Sequence, residues 1–126
     1  MLLPIRVIAP TDQRIVVFQK NAIDPLELLW KATCLVESNN DPLALNVKEQ
    51  ACGIVQIRQV RINHYNRLTG KSYRLEDAFN PAVSREIWDY YATDNLECTA
   101  RSWNGGPTGM RKKSTIKYWK LIQRYL

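Results

Sequence analysis

Two carboxylates of this chain lie where an apolar helical segment gives way to a polar loop, and they are the side chains best placed for proton chemistry. Glu37 directly follows the apolar pair Leu35-Val36, and Glu49 stands twelve positions later in the same polar stretch. The C-terminal end of a helix carries partial negative charge, and partial burial strips water from a carboxylate. Both disfavour the charged form and raise the pKa. A carboxyl that holds its proton near neutral pH is what a general acid requires. Glu49 has two readings: a second carboxylate for the same chemistry, or an exposed loop residue that pairs with a neighbouring Lys or Arg. Asp41, with Pro42 after it, reads as a turn former.

The other reactive side chains point elsewhere. His64 is the single histidine, and no Ser or Cys stands at a known motif spacing from it, so it reads as an exposed helix residue rather than a catalytic base. Cys34, Cys52 and Cys98 are too widely spaced for a disulfide framework or a zinc site. Cys34 and Cys52 read as small apolar core residues. No metal and no cofactor are expected.

The elements that must position Glu37 follow from punctuation and periodicity. Asp24-Pro25 starts a helix, with a capping side chain and Pro at the first position. Leu26, Leu29, Trp30, Thr33 and Val36 follow at helical spacing, and the breakers Asn39, Asn40, Asp41 and Pro42 end the helix near 37–39. A polar loop runs to about Gln50, and the apolar segment ACGIVQI comes next. Ile57, Val60, Ile62, Tyr65 and Leu68 predict a second helix that stops at Gly70. Asn80-Pro81 starts a third, burying Val83, Ile87, Tyr90 and Tyr91. A short helix near 95–103 runs into the NGGP loop. Ser114 caps a last helix whose inner face is Ile116, Trp119, Leu121, Ile122 and Tyr125. Segments 5–9 and 14–18 are candidates for a short hairpin. Trp30, Trp88 and Trp119 fall on apolar stripes and read as core. The predicted fold class is α+β, mainly α, with at most a small β element, in one domain spanning 1–126.

The 126 residues carry 18 Lys+Arg against 12 Asp+Glu, a formal net charge of +6, with 45% hydrophobic residues. That composition excludes disorder, and no apolar run reaches the ~18–20 residues of a membrane span. The positive balance suits nucleic acid, acidic wall polymers or an anionic membrane equally well. Its densest stretch, Arg111 to Arg124, reads most simply as a solvated helix face, the alternative being a salt-sensitive nucleic-acid surface. The opening MLLPIRVIAP is interrupted by Pro4 and Arg6 and does not read as a signal peptide.

The order of three blocks is informative. Glu37-Ser38 with Asp41-Pro42-Leu43-Ala44, then Ala51-Cys52-Gly53-Ile54-Val55-Gln56-Ile57, then Trp103-Asn104-Gly105-Gly106-Pro107, together resemble the lytic transglycosylase and goose-type lysozyme family, over about residues 25–120. The stretches QIR, HYNRLTG, EDAF and WNGGPTG also resemble small transglycosylase-like proteins of bacteria and phages. The resemblance implies a lysozyme-like fold and cleavage of the bond between N-acetylmuramic acid and N-acetylglucosamine in peptidoglycan. It makes Glu37 the catalytic acid, lines the glycan cleft with the turn Gly53–Gln56, Ser38 and Ile54 included, and sets Trp103 and Asn104 facing the carboxyl. Trp103 stands where the family has Tyr, so an indole N–H would serve where a phenol normally hydrogen-bonds; beside the glycine-rich loop it is also the one Trp expected to pack against a sugar face. Ser84 and Trp88 stand where Asn and Gly are usual. One carboxyl suffices for an anhydro-forming lyase, whereas a water-using lysozyme wants a second, here Glu49. A non-catalytic glycan-binding or virion-structural domain on the same scaffold is the alternative from another class. The expected partner is the peptidoglycan strand, with no nucleic acid, and the expected state is a monomer. A wall enzyme lacking a signal peptide suits a phage product, and a trimmed sequence explains the lack equally well.

Overall fold

The computed structural model describes residues 23–126, so the hairpin expected at 5–9 and 14–18 lies outside the described residues. Helix α1, Pro25–Ser38, begins as its sequence dictates, with the Asp24 carboxylate accepting the Leu26 N–H at 2.9 Å and Pro25 in the first turn. It ends through two successive left-handed residues, Asn39 (φ 56°) and Asn40 (φ 65°). Their N–H groups satisfy the Leu35 and Cys34 carbonyls at 2.9 and 3.0 Å.

The expected polar loop contains the only sheet among the described residues. Strands β1 (Leu45–Asn46) and β2 (Ala51–Cys52) pair antiparallel, Leu45 opposite Cys52 and Asn46 opposite Ala51. Cys52 then bridges to Ile57, folding ACGIVQI into a tight turn. Helix α2 (Gln59–Thr69) ends at Gly70 in the left-handed region. A 3-10 segment, Leu75–Phe79, leads to α3 (Pro81–Tyr91), whose start is capped by the Asn80 side chain on the Ala82 N–H at 2.9 Å. Helix α4 (Leu96–Gly105), a 3-10 turn at Gly109–Arg111 and α5 (Ser114–Gln123) complete the order. The architecture is mainly α with a small β element, and no helix among the described residues is long and apolar enough to cross a membrane.

One apolar core joins these elements. Leu29, Val55, Ile57, Ile62, Ile87, Trp88 and Ile122 are almost fully buried in it, and Trp30 and Trp119 pack half-buried against it. Each fully buried aliphatic side chain there contributes about 1.5–3 kcal/mol. Helices α1, α4 and α5 pack on one another, and β2 packs on the 3-10 segment Leu75–Phe79. Several inner faces differ from those expected. Val60 and Leu68 of α2 and Tyr90 of α3 are exposed, while Trp88 is buried as its stripe implied. Helix α5 buries Thr115, Tyr118 and Ile122, leaving Ile116, Leu121 and Tyr125 exposed. Polar atoms on Thr115 and Tyr118 have partners inside, so their burial is not penalised. Ser114 does not cap α5; Lys113 holds that place in a helical conformation without a side-chain cap bond.

Candidate active site

Glu37 occupies the last turn of α1, and its setting is made by segments remote in the chain. The Tyr118 hydroxyl, on α5, donates to Glu37 Oε2 at 2.8 Å. Burial pushes the Glu37 pKa up from an ordinary 4.5 to about 7. The Tyr118 hydrogen bond works against that rise, the negative charge of Glu49 adds to it, and the Arg61 guanidinium opposes it. Tyr118 itself, buried against this carboxylate, has its phenol pKa pushed well up, so its hydroxyl remains a donor.

Glu37 and Glu49 both line one cleft of about 400 Å³, together with Gln56, Arg61, Trp103 and Asn104. Glu49 is exposed at the start of the return to β2, with its N–H donating to the Asn46 side chain at 3.1 Å. It makes no ion pair among the described residues. Asn104 is exposed at the mouth.

Ser38, Gly53 and Ile54, expected to contact glycan, instead build the cleft from behind. The Ser38 hydroxyl donates to the Ile54 carbonyl at 2.8 Å and accepts the Asp41 N–H at 3.0 Å, which ties the end of α1 to the turn after β2. Gly53 is buried, and a Cβ there would lie 2.1 Å from the Ala78 carbonyl oxygen, at a φ of +89°. Only glycine fits that approach. Of this turn Gln56 alone lines the cleft, and its side-chain amide donates to the Gly53 and Ala44 carbonyls at 3.0 and 3.3 Å. Asp41 forms the expected turn, its carboxylate accepting the Leu43 N–H at 2.9 Å.

Trp103 is not an open sugar platform. It is 8% exposed, its indole N–H donates to the Val55 carbonyl at 3.2 Å, and the Arg61 guanidinium lies 4.2 Å from its ring. The hydrogen bond expected from Trp103 to the carboxyl comes from Tyr118, and the indole braces the Gly53–Gln56 turn. Ser84 and Trp88 are buried away from the cleft, Ser84 donating to the Ala78 carbonyl at 2.7 Å. His64 is partly buried rather than exposed, and its Nδ1 shares a hydrogen bond with the Tyr91 hydroxyl. Cys34 and Cys52 are buried free thiols, and burial pushes Cys34 up to about 12 and Cys52 upward, which makes both inert.

Two residues of the site escaped the sequence reading. Tyr118 falls outside the face expected for α5, which is phased on Ile116, Trp119 and Leu121, and the i, i+3, i+7 pattern at Thr115, Tyr118 and Ile122 is the signal that would have found it. Arg61 carried no signal beyond its charge. Among the described residues no cluster of three or more His, Cys, Asp or Glu is placed to hold a metal ion. The arrangement offers a protonatable carboxyl near neutrality, a phenol bonded to it, a fixed cation and a second carboxylate around one cleft. The chain matches no protein-family model and no curated protein.

Proposed function

We propose that this chain cleaves the glycosidic bond between N-acetylmuramic acid and N-acetylglucosamine in peptidoglycan, as a lytic transglycosylase on a lysozyme-like scaffold. The observation that carries the reading is Glu37: a carboxyl at about 7, bonded to Tyr118, on a cleft of about 400 Å³. The ordered blocks ESNNDPLA, ACGIVQI and WNGGP support it from the sequence.

A carboxyl poised near neutrality serves both halves of the reaction. Protonated Glu37 donates to the leaving glycosidic oxygen as the C1–O bond breaks and the muramic ring becomes oxocarbenium-like. The resulting carboxylate, steadied by the Tyr118 hydroxyl and the positive field of Arg61, takes the proton of the muramic 6-hydroxyl as that oxygen closes on C1. The product is a 1,6-anhydro sugar, and Glu37 is protonated again without external water.

A second reading, a water-using lysozyme, is favoured by Glu49, which shares the cleft and lies near enough to bias the Glu37 proton. Mass spectrometry of soluble products from purified peptidoglycan separates the readings. Products one water lighter, without a reducing muramic end, are expected, with near-normal turnover in Glu49→Gln. Reducing ends together with loss of turnover in Glu49→Gln would make the chain a lysozyme. Undiminished cleavage by Glu37→Gln would sink both, and glycan binding without products would leave a binding module.

A further inference from the structure

We propose that Arg61, flanked by Arg58 and Lys112, forms a carboxylate-binding subsite in the cleft that takes the acidic peptide stems carried by peptidoglycan. The proposal rests on the reading of the cleft as a peptidoglycan site and adds to it which strands the cleft selects.

The Arg61 guanidinium is held against two aromatic rings. It lies 4.6 Å from the Tyr91 ring centre and 4.2 Å from that of Trp103, and its Nη2 donates to the Trp103 carbonyl at 2.9 Å. A guanidinium carries five N–H donors in a rigid fork that matches a carboxylate, and the two ring contacts and the bond to Trp103 restrain that fork before a ligand arrives. Arg61 makes no ion pair among the described residues, although it is partly buried. An unpaired cation in such a place is costly unless something outside the fold completes it.

The surrounding charges favour an anion. Arg58 and Lys112 line the same cleft, both exposed and neither in an ion pair among the described residues. Lys112 Nζ donates to the Gly105 carbonyl at 2.7 Å, which keeps it at the wall. Against these three cations stand Glu37 and Glu49, and Glu37 is uncharged when it is ready to act as the acid. In intact peptidoglycan the muramic lactyl carboxyl is tied up as an amide to the stem, so the sugar chain itself is neutral and leaves the cations unmatched. The carboxylates of peptidoglycan sit on its peptide stems, so a stem reaching Arg61 supplies the missing charge through charge-assisted hydrogen bonds.

The test compares intact peptidoglycan with the same strands whose stem carboxylates are converted to neutral methylamides by carbodiimide and methylamine, reading soluble products by mass spectrometry. For the wild type, kcat/KM is expected to be at least about tenfold higher on strands whose stem carboxylates are free, the loss that one charge-assisted hydrogen bond carries. In Arg61→Gln that ratio is expected to fall toward one. A merely structural lesion lowers both rates and leaves the ratio standing, which would overturn the proposal. Arg58→Gln, at an exposed residue outside the ring clamp, covers the case in which Arg61→Gln fails to fold. It is expected to lower the ratio about threefold, and an unchanged ratio would again overturn the subsite. Equal wild-type rates on both substrates would overturn the subsite alone. Failure to cleave either would remove the peptidoglycan reading and the subsite with it.

Discussion

Replacing Glu37 by Gln should make the protein more stable, by an amount that grows as the pH rises from 4.5 to about 7. The carboxyl has a pKa raised by burial from 4.5 to about 7. The stabilisation that its proton brings is therefore fully present below 4.5 and is lost as the pH rises through about 7. At about 1.4 kcal/mol per pH unit, that difference makes ionised Glu37 cost the fold about 3 kcal/mol relative to the protonated form. Gln stays neutral and still offers an oxygen to the Tyr118 hydroxyl. The stability of the variant minus that of the wild type should thus grow by about 3 kcal/mol between about pH 4 and about pH 8. Urea unfolding at a series of pH values, with the slope m checked to be unchanged, measures it directly. A difference independent of pH would refute the argument that the fold holds this carboxyl against ionisation, as would a variant that loses ground above pH 7. The assay needs no substrate, so it tests the site apart from the reaction assigned to it.

Three further outcomes follow from individual contacts. Tyr118→Phe removes the one hydrogen bond to the Glu37 carboxylate among the described residues, so its pKa should move above 7 by about one pH unit, read from the carboxyl carbon by NMR titration; a value that stays or falls contradicts the contact. Gly53→Ala drives a methyl group to 2.1 Å from the Ala78 carbonyl oxygen at a φ of +89°, and should cost about 3 kcal/mol or more in urea unfolding; a loss below about 1 kcal/mol would mean that the turn yields freely. Glu86 accepts hydrogen bonds from the Tyr65 and Tyr73 hydroxyls and from Lys71, which hold its pKa down at about 2. Its contribution is present above 4.5 and lost as the pH falls toward 2, so Glu86→Gln should lower the neutral-pH midpoint and flatten the acid limb of the stability curve; parallel limbs would refute it.

The legible parts of this chain are those whose causes are local. Asp24-Pro25, Asn80-Pro81 and Gly70 mark helix ends because capping and left-handed geometry act within a few residues, and each does so in the structure. Glu37 was legible for the same reason, as the acidic residue closing an apolar helix. The hairpin at Leu45–Cys52 was not, because two-residue strands are too short to show alternation and Leu45 and Asn46 are both exposed. The inner face of α5 was misphased because hydrophobicity favours Ile116 and Leu121, whereas the fold buries Tyr118 and Thr115, whose hydroxyls find remote partners. Trp103 was placed beside sugar on the strength of its glycine-rich neighbours. Its indole N–H bonds across 48 positions to Val55, a contact no local pattern announces.

The separation between Glu37 and Tyr118 also has a consequence for synthesis. The two lie 81 positions apart, and the other ties around the cleft, Val55 to Trp103 and Arg61 to Trp103, span 48 and 42. Contacts of such reach form only once most of the chain is available to close on itself. A nascent chain that ends before α5 carries Glu37 without its burial against Tyr118, and hence with the acidity of any exposed carboxylate. The raised pKa of Glu37 therefore waits on the synthesis of α5.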